Sequence, residues 1–484
     1  METNEALKSR LLKQAEEAIE LLLTQIQTME EGDLQAVEQQ VLSTMMDLGR
    51  KCLEGVVNQQ AQRRGSPARR VGGCGHRQRL VSTRQRHLLT LMGPIIIQRA
   101  YYQCMSIGKK EEKQEKDTCS HGEAPCDAVW GLDAHRSSPG VQRAVSYLAA
   151  TLTQEEVAEA IGRLLPIQIS ARQVGHVIRP VGEAFEHWED QQMQEVMQHG
   201  EEKRTRERER QERGGEPITR LYVEMDGVMT RMRRGSVPME KQEQEKNEDI
   251  YREVKVGAVF VGQPGRERSM LAPGVFVDTP GPITYVARRT SADAFAPLLY
   301  GLAQRMGMER AQQVVVLADG AKWIWRLAEE QFPGAVQIVD EYHAREHIWE
   351  VARAVFVEEP GMRETWATAI IEKLMQGRVE AVIAAIEQLP AVTPPPGKSR
   401  SIPQIEAAYF RSNSERMRYP LFRAQGMHLG SGIAEAACKT VVSTRTKRSG
   451  MRWTPDGLAA VLALRTAVLN RAFDHCWHAS RSVA

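Results

Sequence analysis

Nowhere in the 484 residues does an apolar run approach the ~20 residues needed to cross a bilayer, which excludes a helical membrane span. The opening METNEALKSRLLKQAEEAIELL lacks the basic start and apolar centre of a secretory leader, so a cytoplasmic protein is expected. Net charge is also missing. Against 64 Lys+Arg stand 62 Asp+Glu, and overall charge therefore names no partner. Cysteine is scarce: seven residues, an odd number with no CxxC pair, do not make a disulfide scaffold. The chain is too long for one compact domain, and about two to four are expected.

What is present is unevenly distributed. Residues 63–86 and 445–452 are strongly basic, whereas 329–359 carry many acids. Residues 1–63 read as a helical hairpin broken at Gly32-Asp33, packing on itself or on a partner copy, with Leu11, Leu12, Ala15, Ile19, Leu22, Leu23 and Ile26 at helical spacing. Residues 64–136 form a small β-rich module holding Cys74, His76, Cys104, Cys119, His121 and Cys126. Such thiols and imidazoles suit one structural Zn²⁺, or stand as scattered unmetallated groups. Residues 137–198 are helical. Thr153-Gln-Glu-Glu156 and Ser170-Ala-Arg-Gln173 are two capping boxes, and the pair of helices they open, the second beginning at Arg172, resembles a helix-turn-helix. Residues 199–216 are a charged linker.

From 217 to 484 the order is three strands without intervening helices, then helix, strand, helix, strand and helix. That is the order of an α/β ribonuclease-H-like domain with a mixed five-stranded sheet. In VVVLADGAKWIW a buried strand ends on Asp319-Gly320. Parallel strands place functional groups beyond their carboxyl ends, although Asp319 could simply cap the helix from Lys322. In this sheet Asp226 of the first strand and Asp319 beyond the fourth would meet. A third acid would complete a site for two hard cations. Glu435 in GSGIAEAACK is the expected third, with Asp340 and Glu224 as rivals. Basic residues follow Glu435, among them Lys439, Arg445, Lys447, Arg448 and Arg452.

LYVEMDGV, EVKVGAVF, VVVLADGAKWIW, IVDEYHAREHIW and GSGIAEAACKTVVSTRTKRSGMRW, in this order, resemble the ISKra-type insertion-sequence transposases and more distantly the Mutator-like group. The resemblance spans about residues 101–477. It implies a DDE transposase with two Mg²⁺ or Mn²⁺ ions, cutting element-end DNA and joining it to target DNA. By position the triad is Asp226, Asp319 and Glu435. Asp340 and His343 match an aspartate-x-x-histidine signature, and a helical insertion falls at about 344–430. His343 would orient a phosphate or a metal-bound water, or else be a satisfied structural histidine. The implied partners are element terminal repeats, target DNA and further copies of the chain, with the protein nucleoid-associated when bound. The resemblance also implies a zinc ribbon, yet only Cys74 and Cys104 fit its cysteine pairs, and Cys119 and His121 follow an inserted EEKQEKD. The alternatives are an inactive DNA-binding derivative and a ribonuclease-H-like nuclease or resolvase that never joins.

Overall fold

The computed structural model describes residues 2–28, 33–65, 68–105, 119, 121–132, 136–198, 218–234, 250–263, 265, 276–390 and 392–482. The expected linker at 199–216 lies outside them. Contacts group the chain into two units, Met1–Gly182 with Trp477–Ala484, and Glu183–Cys476.

In the first unit, α1 (Asn4–Gln27) and α2 (Leu34–Arg64) form the hairpin. Thr3 and Asp33 cap them by accepting the Ala6 and Ala36 N–H groups. A four-stranded antiparallel sheet follows in the order β1 (Arg69–Val71), β2 (Arg77–Thr90), β3 (Gly93–Cys104), β4 (Gly122–Glu123). Its core is small: Leu88, Ile95, Ile97, Cys126 and Leu132 close on Ala61 of α2. Burying the larger of these side chains contributes roughly 1.5–3 kcal/mol each. After α3 (Pro125–Val129) and α4 (Pro139–Ala149) come α5 (Gln154–Leu164) and α6 (Ala171–Gln198). Both predicted capping boxes form, Thr153 with Glu156 and Ser170 with Gln173.

The second unit is an α/β domain. Strand β5 (Ile218–Arg231) pairs antiparallel with β6 (Tyr251–Gln263), and β6 pairs antiparallel with β8 (Thr284–Arg288). On its other side β5 runs parallel to β9 (Ala311–Ala318), which runs parallel to β10 (Val336–Val339). The expected five strands are therefore joined by a sixth, the two-residue β7 (Thr279–Pro280) on β6. Crossover helices α7 (Ala292–Arg305) and α8 (Lys322–Gln331) link β8 to β9 and β9 to β10. Val315, Val316, Leu317 and Ala318 are fully buried, as a central strand covered on both faces requires.

Five helices follow β10: α9 (Glu341–Val355), α10 (Pro360–Met375), α11 (Val379–Glu387), α12 (Ile402–Ser412) and α13 (Tyr419–Ala424). These helices occupy the span where an insertion is expected, and they are no separate appendage. Ile348, Val351, Ile370, Leu374, Val382, Ile386 and Phe410 belong to the same core as Val316 and Leu317. The last stretch is helical but interrupted. Helix α14 (Gly432–Ala437) passes into a π-helical turn, Cys438–Ser443, then α15 (Thr444–Thr446); α16 (Pro455–Leu469) and α17 (Phe473–Ser482) complete the chain. Among the described residues no helix is long and apolar enough to cross a membrane.

Candidate active site and metal centre

Register decides which carboxylates meet. Glu224 of β5 lies opposite Leu317 of β9, and Val339 of β10 opposite Ala318. Carried on, that register leads to Asp226 within β5, Asp319 just past the end of β9 and Asp340 just past the end of β10. Asp340 donates its N–H to the Ala318 carbonyl at 2.8 Å.

The members of this row differ in what holds them. Asp226 is partly buried, and its carboxyl is pushed above the usual range by burial first and then by the charge of Asp319, while Gly227 N–H, Cys438 and His343 pull the other way. Its Oδ1 accepts the Gly227 N–H at 2.6 Å, and the Cys438 thiol lies 3.4 Å from Oδ2. Asp319 accepts the Ala321 N–H at 2.9 Å. That bond closes a turn; the helix α8 has no side-chain cap, so helix capping does not account for Asp319. Gly320 holds φ +100°, and a Cβ there would meet the Tyr409 ring at 2.7 Å. Tyr409 donates its O–H to the Asp319 carbonyl at 3.0 Å. Burial and nearby acids, Asp319 first among them, keep that phenol protonated and therefore a donor.

Asp340 is spent on the backbone. Its Oδ1 accepts the N–H groups of Tyr342 and His343 at 2.6 and 2.9 Å, capping α9, and its Oδ2 accepts the Ser431 N–H. Glu224, fully buried, accepts the Ala434 N–H at 2.8 Å. Its Oε1 has no hydrogen-bond partner among the described residues. Burial, reinforced by the charge of Asp340, pushes the Glu224 carboxyl up to about 8. These two acids thus pin the start of α14, the segment that carries Glu435.

Glu435 itself is exposed. Cys438, three residues on, touches Asp226; its thiol is pushed up by burial first, then by Asp226, with Glu435 adding a smaller push. Asp226, Asp319 and Glu435 are not among the groups whose ligand atoms lie within 4.8 Å of one another. The charge of Asp319 reaches Asp226, and Glu435 lies on the segment whose Ala434 N–H is held by Glu224, but the three acids do not converge. The donors suit hard divalent cations: the carboxylates of Asp226 within β5 and Asp319 just past β9, and the buried Glu224 Oε1 that has no hydrogen-bond partner among the described residues.

His343 is half-exposed at the start of α9, its Nδ1 3.5 Å from Glu346. Of the expected DNA-contacting residues, Lys439, Lys447, Arg452 and Arg172 are exposed and Arg448 is half-buried. Arg445 is the exception. It is 1% exposed, with its guanidinium 5.2 Å from the Trp453 ring centre, on the same helical stripe as the buried Val441 and Val442.

Of the six candidates in the cysteine module, four come together as a group able to hold a metal ion. Donor atoms of Cys74, His76, Cys104 and Cys119 lie within 4.8 Å of one another. Cys104 Sγ is 3.1 Å from Cys74 Sγ and 3.5 Å from Cys119 Sγ. The missing CxxC is replaced by topology: the turn before β2, the end of β3 and the approach to β4 meet at one end of the sheet. Gln78, fully buried, points its amide at both Cys74 and Cys104, at 3.8 and 3.9 Å from their sulfurs. The Cys104 hydrogen bond above all pulls the Cys74 thiol down to about 6, and the same pairing pushes Cys104 up to about 12. Three thiolates and one imidazole are a zinc donor set. The other two candidates are placed elsewhere. His121 pairs with Glu123 at 3.3 Å, and Cys126 is a core residue whose thiol is raised by burial.

No family model matches the chain, and no curated protein does. Among solved structures, one match is titled "Drosophila P element transposase strand transfer complex". It is 12% identical over 54% of this chain and 67% of that one, with a TM-score of 0.18, a likeness too slight to carry an argument.

Proposed function

We propose that this chain is a DDE DNA transposase, a ribonuclease-H-like enzyme that cuts element-end DNA and joins it to target DNA. One observation supports the reading: the parallel pairing of β5 and β9, carried on from Glu224–Leu317, leads to Asp226 and Asp319, and Glu224 of β5 accepts the Ala434 N–H of the segment that carries Glu435. The strand order β8-β6-β5-β9-β10, three antiparallel and then two parallel, supports the fold assignment. The ISKra-type resemblance of the five motifs supports the chemistry.

Asp226, Asp319 and Glu435 would hold two Mg²⁺ or Mn²⁺ ions, which supply a polarised nucleophile and neutralise the leaving oxygen. The chain's own part is positioning. Tyr409 and Gly320 fix the Asp319 turn, and Glu224 and Asp340 fix the start of α14. In this reading Glu435 completes the site when DNA seats on the segment. Lys439, Lys447 and Arg452 are exposed along the same stretch to meet phosphates. A Zn²⁺ held by Cys74, His76, Cys104 and Cys119 would stabilise the β1–β4 module, whose exposed Arg77, Arg79 and Arg84, with Arg172 of α6, add basic surface for element ends. The protein would act as a homo-oligomer on DNA.

The test is incubation of the full chain with its gene's flanking DNA, Mg²⁺ and a target plasmid. Joined products are expected, lost with D226N, D319N or E435Q and with chelator. End cleavage without joining would instead identify a nuclease or resolvase. Binding without cleavage would identify an inactive derivative. Unchanged joining by E435Q would remove Glu435 from the triad and leave Glu224, with its orphaned oxygen, as the next third ligand.

A further inference from the structure

A second cluster of metal-ligating side chains lies within the helical insertion, built from residue types different from those of the carboxylate row. His347 and Glu350 sit three residues apart on α9 and so share one face. Glu406 comes from α12. Donor atoms of the three lie within 4.8 Å of one another, and His347 Nδ1 is 2.6 Å from Glu406 Oε2. The Glu406 side chain is only 5% exposed. A buried carboxylate is costly unless its charge is compensated, and with a neutral imidazole this trio carries two negative charges. Glu350 is exposed, so the cluster opens to solvent on one side.

We propose that His347, Glu350 and Glu406 bind one divalent transition-metal ion, Zn²⁺, in a site distinct from both the carboxylate row and the cysteine centre. One imidazole and two carboxylates, with no thiolate, suit a borderline first-row ion completed by water. They do not suit Cu(I), which takes soft ligands, or Ca²⁺, which takes six to eight oxygens. The ion replaces the His347–Glu406 hydrogen bond as the link between α9 and α12. Its effect reaches the Asp319 turn through a short path. The His347 ring stacks on Tyr409 with centroids 3.8 Å apart and planes 27° apart, and Tyr409 donates to the Asp319 carbonyl. The site therefore braces the turn that presents Asp319. Binding of the ion does not depend on what the chain does to DNA.

The experiment uses the full chain, stripped with chelator and titrated with Zn²⁺ by calorimetry and with Co²⁺ by absorption. Cobalt in the cysteine centre gives sulfur-to-metal charge transfer, whereas cobalt at His347, Glu350 and Glu406 gives only weak ligand-field bands, so the two sites report separately. The expected result is one Zn²⁺ equivalent that is weakened about tenfold or more in E350Q and in H347Q. The same equivalent should persist in C74S and in the double variant D226N/D319N. Glu350 is exposed, so E350Q tests the ligand without disturbing the core. Equal stoichiometry and affinity in wild type, E350Q and H347Q would overturn the proposal and reduce the trio to an ion pair with a neighbouring acid.

Discussion

At the scale of single residues, burial separates side chains that the sequence lists alike. Arg445, Lys447, Arg448 and Arg452 are four basic residues within eight positions, and spacing alone assigns them one role. Arg445 lies three, four and seven residues after the buried Val442, Val441 and Cys438, on the inward stripe of the segment, while Lys447 and Arg452 are exposed. A run of basic residues hides that stripe when it is read by charge alone, which is why this division was not legible. R445A should therefore lower the melting temperature by several degrees while leaving the salt dependence of DNA binding unchanged. K447A and R452A should do the reverse, each lowering the slope of log affinity against log salt by about one. A normal melting temperature in R445A would contradict its core role. His428 gives a pH-dependent counterpart. Burial lowers its pKa below the ordinary 6.5, so the folded state holds the neutral ring where the unfolded chain takes up a proton. Stability is then lost as pH falls from about 6.5 towards the folded value. H428L should flatten that acid limb in denaturant titrations between pH 7 and 5; a slope equal to wild type would show that His428 does not contribute.

At the scale of elements, the strands and helices of the α/β domain were readable because apolar runs, caps and glycines agree. The strand ending at Ala318, the helix Lys322–Gln331 and the strand Val336–Val339 fall where pattern puts them. The candidate zinc ligands were legible only as a set of six. Choosing four of them needs the register of β2, β3 and β4, which no spacing rule encodes when CxxC is absent. Nor could pattern show that Asp340 and Glu224 anchor α14, since those hydrogen bonds join residues 91 and 210 positions apart. D340A should cost about 1–3 kcal/mol, the loss of a helix cap together with an unsatisfied Ser431 N–H. Gly320 is the sharper probe of the Asp319 turn. G320A places a Cβ against Tyr409 at a positive φ, and roughly 1–3 kcal/mol of strain is expected. Y409F keeps the ring but loses the bond to the Asp319 carbonyl. It should fold normally yet lower the cleavage rate with little change in DNA affinity. Wild-type rates in Y409F would show that the turn holds itself.

At the scale of the whole molecule, a nearly neutral chain owes any affinity for DNA to where its charges lie, and its assembly to which apolar surface it leaves uncovered. Helix α1 leaves such a surface. Leu12, Ile19 and Leu23 are 60, 46 and 55% exposed, and their separations of seven and four residues put them on one stripe of the helix. Leu7 and Leu22 of the same helix are buried, so the hairpin satisfies one face and leaves the other without cover in a single copy. In the proposed reading, joining two element ends to one target requires two active sites held together, and a seam between hairpins from two copies would supply that. We therefore expect the full chain to sediment as a dimer or larger at micromolar concentration. The triple variant L12E/I19E/L23E should sediment as a monomer with unchanged helix content, because its substitutions avoid the buried face. It should still bind a single element end but lose paired-end products. A variant that remains dimeric would place the self-association surface elsewhere on the molecule, and a wild type that is monomeric with and without DNA would remove the seam altogether.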